Sequence, residues 1–503
     1  MGGKPLSDRE YLEHDALGLA ELVRRKELTP AELLETALAR IERLNPRVNA
    51  VIHRLDEAAR ATARGPLPEG PFQGVPLLLK DLLSGVAGEP FECGSALLRG
   101  FRAPHDSELV RRYRRAGFVL AGKTNTPEFG LTPVTEPATR GPTCNPWDLT
   151  RTSGGSSGGA AAAVASGMVP VAGGGDGGGS IRIPASCCGL FGMKPTRGRV
   201  PTGPDFGELW QGAVVEHVVT RSVRDSAAVL DATAGPDPGA PYYAPPPERS
   251  FLEETRRPPG RLRIAFTAQP WLGGVVDPEC SAALRDAARL LESLGHEVEE
   301  ASPVFDGAGF ARAFLTMICG ELAGDIGEAE RAVGRRAGPG NLEPATWALT
   351  LLGRSMPAAR FSAAVRVLER TARKIAPFFA RYDVLVTPTV SAPPVPIGAL
   401  QPTPRERALL VLLGALRSGA LLRGARVLEQ TAAKVFDFIP WTPVINATGQ
   451  PAMSVPLAWS AAGLPLGIHC VGRYADEATL YRLAAQLEQA RPWFARLAPL
   501  ALE

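Results

Sequence analysis

The sequence offers little that would bind it to nucleic acid, to a membrane or to a secretion pathway. Its 503 residues carry a formal net charge of only +3 and contain no block of basic residues. No apolar run approaches the roughly 18 residues of a membrane-spanning helix, and the N-terminus lacks the apolar core of a signal peptide. These absences predict a cytoplasmic protein that binds neither nucleic acid nor membranes.

Paired cysteines and clustered histidines are also lacking. Seven cysteines are scattered without a C-x-x-C motif, and six histidines show no metal-ligand spacing. This distribution argues against a disulfide framework or a zinc site, so we expect neither a metal nor another cofactor. Lysine is scarce too, since arginine supplies most of the 55 basic residues. A lysine that ends a buried segment is therefore a candidate for a specific role.

What the sequence has in excess is glycine, concentrated between Gly154 and Pro184. This stretch begins GGSSGG and ends GGGDGGGSIRIP, and it places Ser156 and Ser180 24 residues apart. Glycine at this density permits positive φ and close approach of the backbone to a ligand. A flexible linker is the alternative interpretation, but the apolar segment 160–164 between the two clusters argues against it.

Strand and helix patterns alternate along most of the chain, which predicts an α/β fold. The predicted strands are 72–81, 118–121, 169–173, 262–266 and 382–387, and the predicted helices include most of 8–60, then 158–166, 278–294 and 357–376. The proline-rich segment 234–259 is expected to be a surface connection inside one domain. The apolar segment 408–422 is predicted to be a core helix, with a lip over a substrate channel or a membrane-resting face as the alternative.

A serine nucleophile in the glycine-rich stretch would need a base, and no histidine lies near it in the sequence. A lysine can act as the base if burial lowers the pKa of its ammonium group, whereas arginine is effectively never deprotonated. Lys80 ends the apolar run 77–79 and suits this role, although a surface lysine closing a strand would look the same. The segment 177–180 can direct successive N–H groups at a developing negative charge. A phosphate-binding loop is the alternative, but neither a Walker pattern nor G-x-G-x-x-G is present there.

These motifs together resemble the amidase signature family, and the resemblance covers nearly the whole chain. It rests on GGSSGG, on DGGGSIRIPAS, on GVPLLLKD at 74–81 and on shorter matches such as GKTN at 122–125 and NATGQPA at 446–452. The resemblance implies a single domain over residues 8–495, with a mixed, mostly parallel central sheet covered by helices on both faces. Its parts would be a helical N-terminal part (8–60), a catalytic core (70–235) and a substrate-shaping and C-terminal part (260–495).

The resemblance also implies a Ser–cis-Ser–Lys triad. Ser180 matches the nucleophile, Ser156 matches a bridging serine that belongs to a cis non-proline peptide bond, and Lys80 matches the neutral base. The N–H groups expected to form the oxyanion hole are those of Gly177, Gly178, Gly179 and Ser180. Ser157 and Asp176 are expected to support these groups through buried hydrogen bonds.

The implied function is hydrolysis of small, fairly apolar amides through an acyl-enzyme. Within the family the sequence is most similar to 6-aminohexanoate cyclic-dimer hydrolases, through NPWDL at 145–149 and through Cys187-Cys188-Gly189. We predict that Leu131 and Cys319 line the substrate pocket. Two alternatives stay open: the A subunit of a glutamine-dependent aminoacyl-tRNA amidotransferase, and a non-enzymatic protein that binds phosphate or nucleotide. Formation of a homodimer is also left open.

Overall fold

The computed structural model describes residues 6–419, 421–422 and 427–503, and its centre is a large mixed β-sheet. The strands are β1 (Val51–Arg54), β2 (Pro76–Lys80), β3 (Val119–Thr124), β4 (Cys144–Asn145), β5 (Asp148–Thr152), β6 (Val171–Asp176), β7 (Phe191–Lys194), β8 (Val215–Thr220), β9 (Arg263–Phe266), β10 (Glu297–Glu300), β11 (Val384–Pro388), β12 (Ala452–Trp459) and β13 (Pro465–Gly472). Eleven of them form one sheet in the order β1-β3-β2-β6-β8-β7-β12-β13-β11-β9-β10, and β4 and β5 pair separately.

Helices surround this sheet. Those with described bounds are α1 (Asp8–Glu13), α2 (Ala16–Arg24), α3 (Pro30–Val48), α4 (Asp56–Arg64), α5 (Glu108–Arg115), α6 (Gly158–Ala165), α7 (Arg182–Cys188), α8 (Val223–Thr233), α9 (Phe251–Glu254), α10 (Pro278–Ser293), α11 (Gly307–Val333), α12 (Pro344–Arg354), α13 (Ala358–Ile375), α14 (Phe378–Arg381), α15 (Pro404–Ala415), α16 (Val427–Phe438), α17 (Thr442–Thr448) and α18 (Glu477–Ala490). Short 3-10 helices lie at Ala96–Leu98, Glu128–Gly130 and Pro499–Leu502. Within the described ranges, no helix combines the length and the apolar character needed to cross a membrane.

Helices cover both faces of the sheet, as the alternation of side chains along its strands shows. In β11, Val384 and Val386 pack into a core with α8, α10 and α18, whereas Leu385 points to the opposite face and packs with α11, α13 and α17. In β13, Ile468 and Val471 divide between the same two cores. Successive strand residues point to opposite faces, so a sheet buried on both sides needs apolar residues at nearly every position. The predicted α/β fold with a mixed central sheet is confirmed.

The balance of strand directions requires one correction. The pairs β3–β2, β2–β6, β11–β9 and β9–β10 are parallel, but the other six neighbouring pairs, including all those in the middle of the sheet, are antiparallel. Parallel pairing therefore does not predominate over the whole sheet. The connection from β12 to β13 spans only residues 460–464, which is too short for the crossover that a parallel pair needs.

Two segments differ from the sequence expectations. Strand β1 lies within the first sixty residues, which were expected to be helical, and it forms the edge of the sheet beside β3. The segment 408–422, apart from residue 420, which lies outside the described residues, is not a core helix. Helix α15 buries Leu410 and Gly414 but leaves Leu412 60 % exposed. An apolar run alone cannot distinguish a buried helix from one that is half exposed.

The sheet brings the candidate site residues together at one edge. Strands β2 and β6 are parallel neighbours, with Leu77 opposite Val171 and Leu78 opposite Ala172. Lys80 ends β2 and Asp176 ends β6, so both lie at the carboxyl edge of this parallel block. In α/β sheets ligands bind at that edge, because helices and loops leave a crevice there. Helix α6, which begins directly after Ser157, and helix α7, which follows Ser180, both start at the same crevice.

Close packing of helix α6 gives a test of this arrangement. A Cβ atom at Gly159 would lie 2.6 Å from the backbone N and O atoms of Asn125. We expect Gly159→Ala to lower the free energy of unfolding by about 2–3 kcal/mol, because the added methyl group forces the helix away from strand β3. Denaturant unfolding measures the change.

The control is Gly324→Ala, since a Cβ atom at that helical position meets no atom within 4 Å. It should be neutral or stabilising by up to about 1 kcal/mol, because alanine favours the helix over glycine. Equal effects of the two substitutions would contradict the packing of α6 described here.

Candidate active site

Lys80, Ser156 and Ser180 form a connected group at the carboxyl edge of β2. The Lys80 Nζ lies 2.6 Å from the Ser156 Oγ, and the Ser156 backbone N–H donates to the Ser180 Oγ at 3.0 Å. All three side chains are buried, and Lys80 is only 2 % exposed. The structure therefore brings together the three residues that the sequence singled out, although they span a hundred positions of the chain.

Two glycines shape the turn that presents Ser156. Gly154 and Gly155 have φ values of 76° and 59°, in the left-handed region that strains other residues. A Cβ atom at Gly155 would also lie 2.4 Å from the Pro184 Cδ, so the turn packs directly against helix α7. The cis bond expected at Ser156 is not present. The cis bond found within the described residues joins Gly203 to Pro204, and the two positive-φ glycines provide the reversal of the chain before Ser156.

Burial gives Lys80 the property that a base requires. Desolvation lowers the pKa of its ammonium group to about 7, against the opposing negative charges of Glu216 and Asp176. Its Nζ has a second contact, to the Gly175 carbonyl oxygen at 3.4 Å. A large fraction of Lys80 is therefore neutral near pH 7, when it can accept a proton.

The loop between β6 and α7 has unpaired N–H groups at the nucleophile. The N–H groups of Gly177, Gly178 and Ser180 donate no hydrogen bond within the described part of the protein, but that of Gly179 donates to the Asp176 carboxylate at 2.7 Å. Gly179 is therefore removed from the expected set of oxyanion donors. Its φ of 127° turns its N–H toward the aspartate, and a Cβ atom there would lie 2.4 Å from the Thr442 Oγ1.

Asp176 is the centre of a buried ionic cluster that holds this loop. Its carboxylate accepts hydrogen bonds from the Ile181 N–H at 3.1 Å, from the Arg182 Nε at 3.0 Å and from the Asn446 Nδ2 at 2.8 Å. Arg182 in turn donates to the Asn446 Oδ1 at 2.6 Å and contacts the His469 Nε2 at 2.9 Å. The charge of Arg182 and these hydrogen bonds hold the pKa of Asp176 well below its usual range, although burial acts in the opposite direction.

The sequence alone indicates no role for Arg182 or Asn446, although they lie in the motifs DGGGSIRIPAS and NATGQPA. A buried carboxylate needs a counter-charge, and Arg182 is six residues from Asp176, so a partner could have been sought there. Asn446 is 270 residues away, and no local pattern indicates its contact. Ser157 has the supporting position expected of it, because its Oγ donates to the Gly175 carbonyl and accepts from the Gly175 N–H, both at 3.1 Å.

Two cavities meet at Ser180. A cavity of 380 Å³ contains Lys80, Ser156 and Ser180, and it extends past aromatic side chains to helix α11. A smaller cavity of 140 Å³ reaches Ser180 from the other side and is mostly apolar, with Leu131, Phe314 and Ile318 in its wall. Gly130, Gly178 and Trp210 border both cavities. Ser180 is therefore accessible from both cavities.

The two predicted pocket residues have different outcomes. Leu131 lies in the wall of the smaller cavity. Cys319 lines neither of the two cavities and is 3 % exposed, with its carbonyl oxygen against Gly353 of helix α12. Successive helical residues point about 100° apart, so the cavity receives Ile318 from this turn of α11 while Cys319 faces the neighbouring helix. Trp210 and Phe314 were not identified from the sequence because their segments reach Ser180 only through the fold.

The fold is an α/β fold with a large mixed sheet, and the site places two serines and a lysine together in one buried cavity. The family model described as Amidase matches residues 32–481. The chain therefore belongs to the amidase signature family, and it is an amide-bond hydrolase that acts on linear or cyclic amides.

Relatives and solved structures agree over almost the full length. The chain is 40 % identical over 492 residues to the 6-aminohexanoate-cyclic-dimer hydrolase of Pseudomonas sp. (strain NK87), covering 96 % of each chain. A structure of 6-aminohexanoate cyclic dimer hydrolase complexed with substrate superposes with a TM-score of 0.88 at 39 % identity, over 97 % of this chain and 99 % of the other. The crystal structure of a bacterial aryl acylamidase superposes with a TM-score of 0.84 at 27 % identity, over 97 % and 98 % of the two chains.

The buried cluster around Asp176 predicts that a single conservative substitution lowers the stability of the protein strongly. Asp176→Asn keeps the size of the side chain but leaves the Arg182 guanidinium buried without its carboxylate. We expect the free energy of unfolding to fall by about 3–5 kcal/mol, because removing one partner of a buried ion pair leaves an uncompensated charge. Denaturant unfolding at neutral pH measures the loss.

Asp231→Asn is the matched control. The exposed Asp231 carboxylate accepts hydrogen bonds from the N–H groups of Phe251 and Leu252, and asparagine caps a helix about as well as aspartate. Its effect should stay below about 1 kcal/mol. A similarly small effect at Asp176 would show that the cluster does not hold the loop.

Proposed function

We propose that hydrolysis proceeds through an acyl-enzyme on Ser180, with Lys80 as the base and Ser156 as the relay between them. The observations that support this assignment are the 2.6 Å contact from the Lys80 Nζ to the Ser156 Oγ and the hydrogen bond from the Ser156 backbone N–H to the Ser180 Oγ, both inside one buried cavity. A lysine with a pKa of about 7 can take up and return a proton at neutral pH.

In the proposed acylation, the Ser180 Oγ attacks the amide carbon as its proton passes to Ser156, and the Ser156 hydroxyl proton passes to Lys80. The carbonyl π electrons move to oxygen, and the N–H groups of Gly177, Gly178 and Ser180 stabilise the resulting negative charge. Each such donor typically contributes about 10²–10³ in rate. When the intermediate collapses, the carbon–nitrogen bond breaks and the leaving nitrogen receives the proton from Lys80 through Ser156. Water then attacks the ester carbon while its proton passes through Ser156 to Lys80. The bond to the Ser180 Oγ breaks, and Lys80 returns the proton through Ser156 to that oxygen.

We propose a small, fairly apolar acyl group as the substrate class. Leu131, Phe314 and Ile318 give the smaller cavity an apolar wall, and its 140 Å³ limits the acyl group to a few carbon atoms or one ring. The names of the relatives support amides of this kind, since one acts on a cyclic aminohexanoate dimer and another is an aryl acylamidase. A cytoplasmic location also stays a proposal, and so does function without a partner subunit.

The two alternative functions are less favoured. An amidotransferase subunit would have to bind glutamine, for which Leu131, Phe314 and Ile318 form a largely apolar wall, although Glu128, Glu136 and Glu343 border the same cavity. A phosphate-binding protein would need a loop that favours dianions. Here the carboxylate of Asp176 takes the Gly179 N–H of that loop.

Hydrolysis of an amide panel by the purified protein tests the proposal directly. The panel contains glutamine, short aliphatic amides, aryl anilides, and linear and cyclic aminohexanoate oligomers. We expect turnover of apolar amides and a loss of at least about 10³-fold in kcat for Ser180→Ala, because the nucleophile is removed.

Ser166→Ala is the matched control, since its buried hydroxyl donates to the Ala162 carbonyl at the end of α6. It should keep turnover within about threefold of the unchanged protein. Turnover of glutamine in preference to the apolar amides would favour the amidotransferase subunit instead.

If Lys80 is the base, kcat/KM should rise with pH. Protonated Lys80 cannot accept a proton, so kcat/KM should be low in acid, rise about tenfold per pH unit and level off above an apparent pKa of about 7. Lys80→Met should abolish this activity.

Lys194→Met provides a matched control. Lys194 is also buried with its pKa lowered to about 7, and its Nζ donates to the Pro195 carbonyl. The midpoint of the pH profile should not move in this variant. Full activity in Lys80→Met, or a midpoint that moves only in Lys194→Met, would overturn the assignment of the base.

A further inference from the structure

The two cavities at Ser180 differ in their access to the proton relay. Ser156 and Lys80 line the 380 Å³ cavity and do not line the 140 Å³ cavity. The leaving nitrogen must receive its proton from this relay, and proton transfer needs hydrogen-bond contact. The amine part of the substrate therefore belongs in the larger cavity, and the acyl part in the smaller, apolar one.

Three carboxylates line the larger cavity, and two of them have a basic partner, since Asp205 contacts His105 and Glu328 contacts Arg331. Asp325 of helix α11 borders the cavity, together with apolar side chains that include Phe91 and Leu98. Cys93 lines the same cavity, close enough to both Lys80 and Asp325 for their charges to act on its thiol. Asp325 therefore lines the same continuous cavity as Lys80 and Ser156.

Among the described residues, Asp325 forms no ion pair with a cationic side chain. The nearby Trp210 side chain acts to lower the pKa of this carboxyl group. Burial and the charges of Glu321 and Glu328 raise the pKa of Asp325 to about 7. A partly desolvated carboxylate of this kind is stabilised when a cation binds beside it. Trp210 also borders the smaller cavity.

We infer that the larger cavity binds the leaving amine, and that Asp325 selects amines whose alkyl chain carries a second, cationic nitrogen. This inference rests on the proposed function and names the amine class that the site prefers. Phe91 and Leu98 would contact the methylene groups between the two nitrogens. The second ammonium would lie at the Asp325 carboxylate, while the first nitrogen lies at Ser156.

Acyl transfer measures the selectivity of the larger cavity for amines separately from the selectivity of the smaller cavity for acyl groups. An acyl-enzyme is formed from the p-nitrophenyl ester of a short straight-chain acid, and then it partitions between water and an added amine. In the transfer, the amine nitrogen bonds to the acyl carbon, the ester bond to Ser180 breaks, and the proton from the amine passes through Ser156 back to the Ser180 Oγ. Since the acyl group is the same throughout, the ratio of products depends on the amine.

The probes are diaminobutane and pentylamine, in which a methyl group replaces the second nitrogen. At pH 9, and corrected for the free reacting amine, we expect transfer to diaminobutane about tenfold more often than to pentylamine, since a charge-assisted contact is added. Asp325→Asn keeps the size of the side chain but removes the charge, and it should bring the preference close to unity. Glu321→Gln is the matched control, because Glu321 carries the same charge on the same helix, accepts from the Gln211 Nε2 at 2.8 Å and does not border the cavity.

Each result decides one point. A diamine preference that disappears in Asp325→Asn and persists in Glu321→Gln supports the inference. Equal transfer to the two amines by the unchanged protein, or a preference that survives in Asp325→Asn, overturns it while the proposed function stands. Absence of an acyl group on Ser180 by mass spectrometry overturns the proposed function, and this inference with it.

Discussion

Burial of one lysine is the constraint on which the site depends. Lys80 ends a strand that is buried along its whole length, and the surrounding protein removes the water that would stabilise its ammonium group. Leaving a lysine there costs stability, but burial lowers its pKa to about 7, as the proposed base requires. Ser156 and the Gly175 carbonyl then fix the direction of the amine. The glycine-rich stretch serves this arrangement, because only glycines let the turn before Ser156 pack against helix α7.

The second requirement is a rigid loop at the nucleophile, and a buried ion pair provides it. Asp176 and Arg182 bracket Ser180 in the sequence, and Asn446 joins them from a helix near the C-terminal end of the chain. The Gly179 N–H donates to Asp176, whereas the N–H groups of Gly177, Gly178 and Ser180 have no hydrogen-bond partner among the described residues. Asp176 and Arg182 lie in the glycine-rich stretch, whereas Asn446 lies in a distant segment. These two segments have to pack together before the site exists.

Trp210 links the binding cavities to one another. It borders both cavities at Ser180 and packs beside Gly177. Its φ of 50° lies in the left-handed region, which a bulky side chain adopts only where the surroundings enforce it. Trp210 therefore lies where it would contact both the acyl and the amine part of the proposed substrate.

The sequence by itself determined the α/β class, the family and the group Lys80, Ser156 and Ser180, because glycine spacing, strand pattern and the shortage of alternative bases are all local features. The tertiary structure alone decided the antiparallel centre of the sheet, the loss of Gly179 as a donor and the roles of Arg182, Asn446 and Trp210. It also decided that Ile318 rather than Cys319 faces the cavity, since that depends on the rotation of helix α11. Local patterns fix which residues carry chemistry, but contacts between segments hundreds of residues apart depend on packing that no short pattern records.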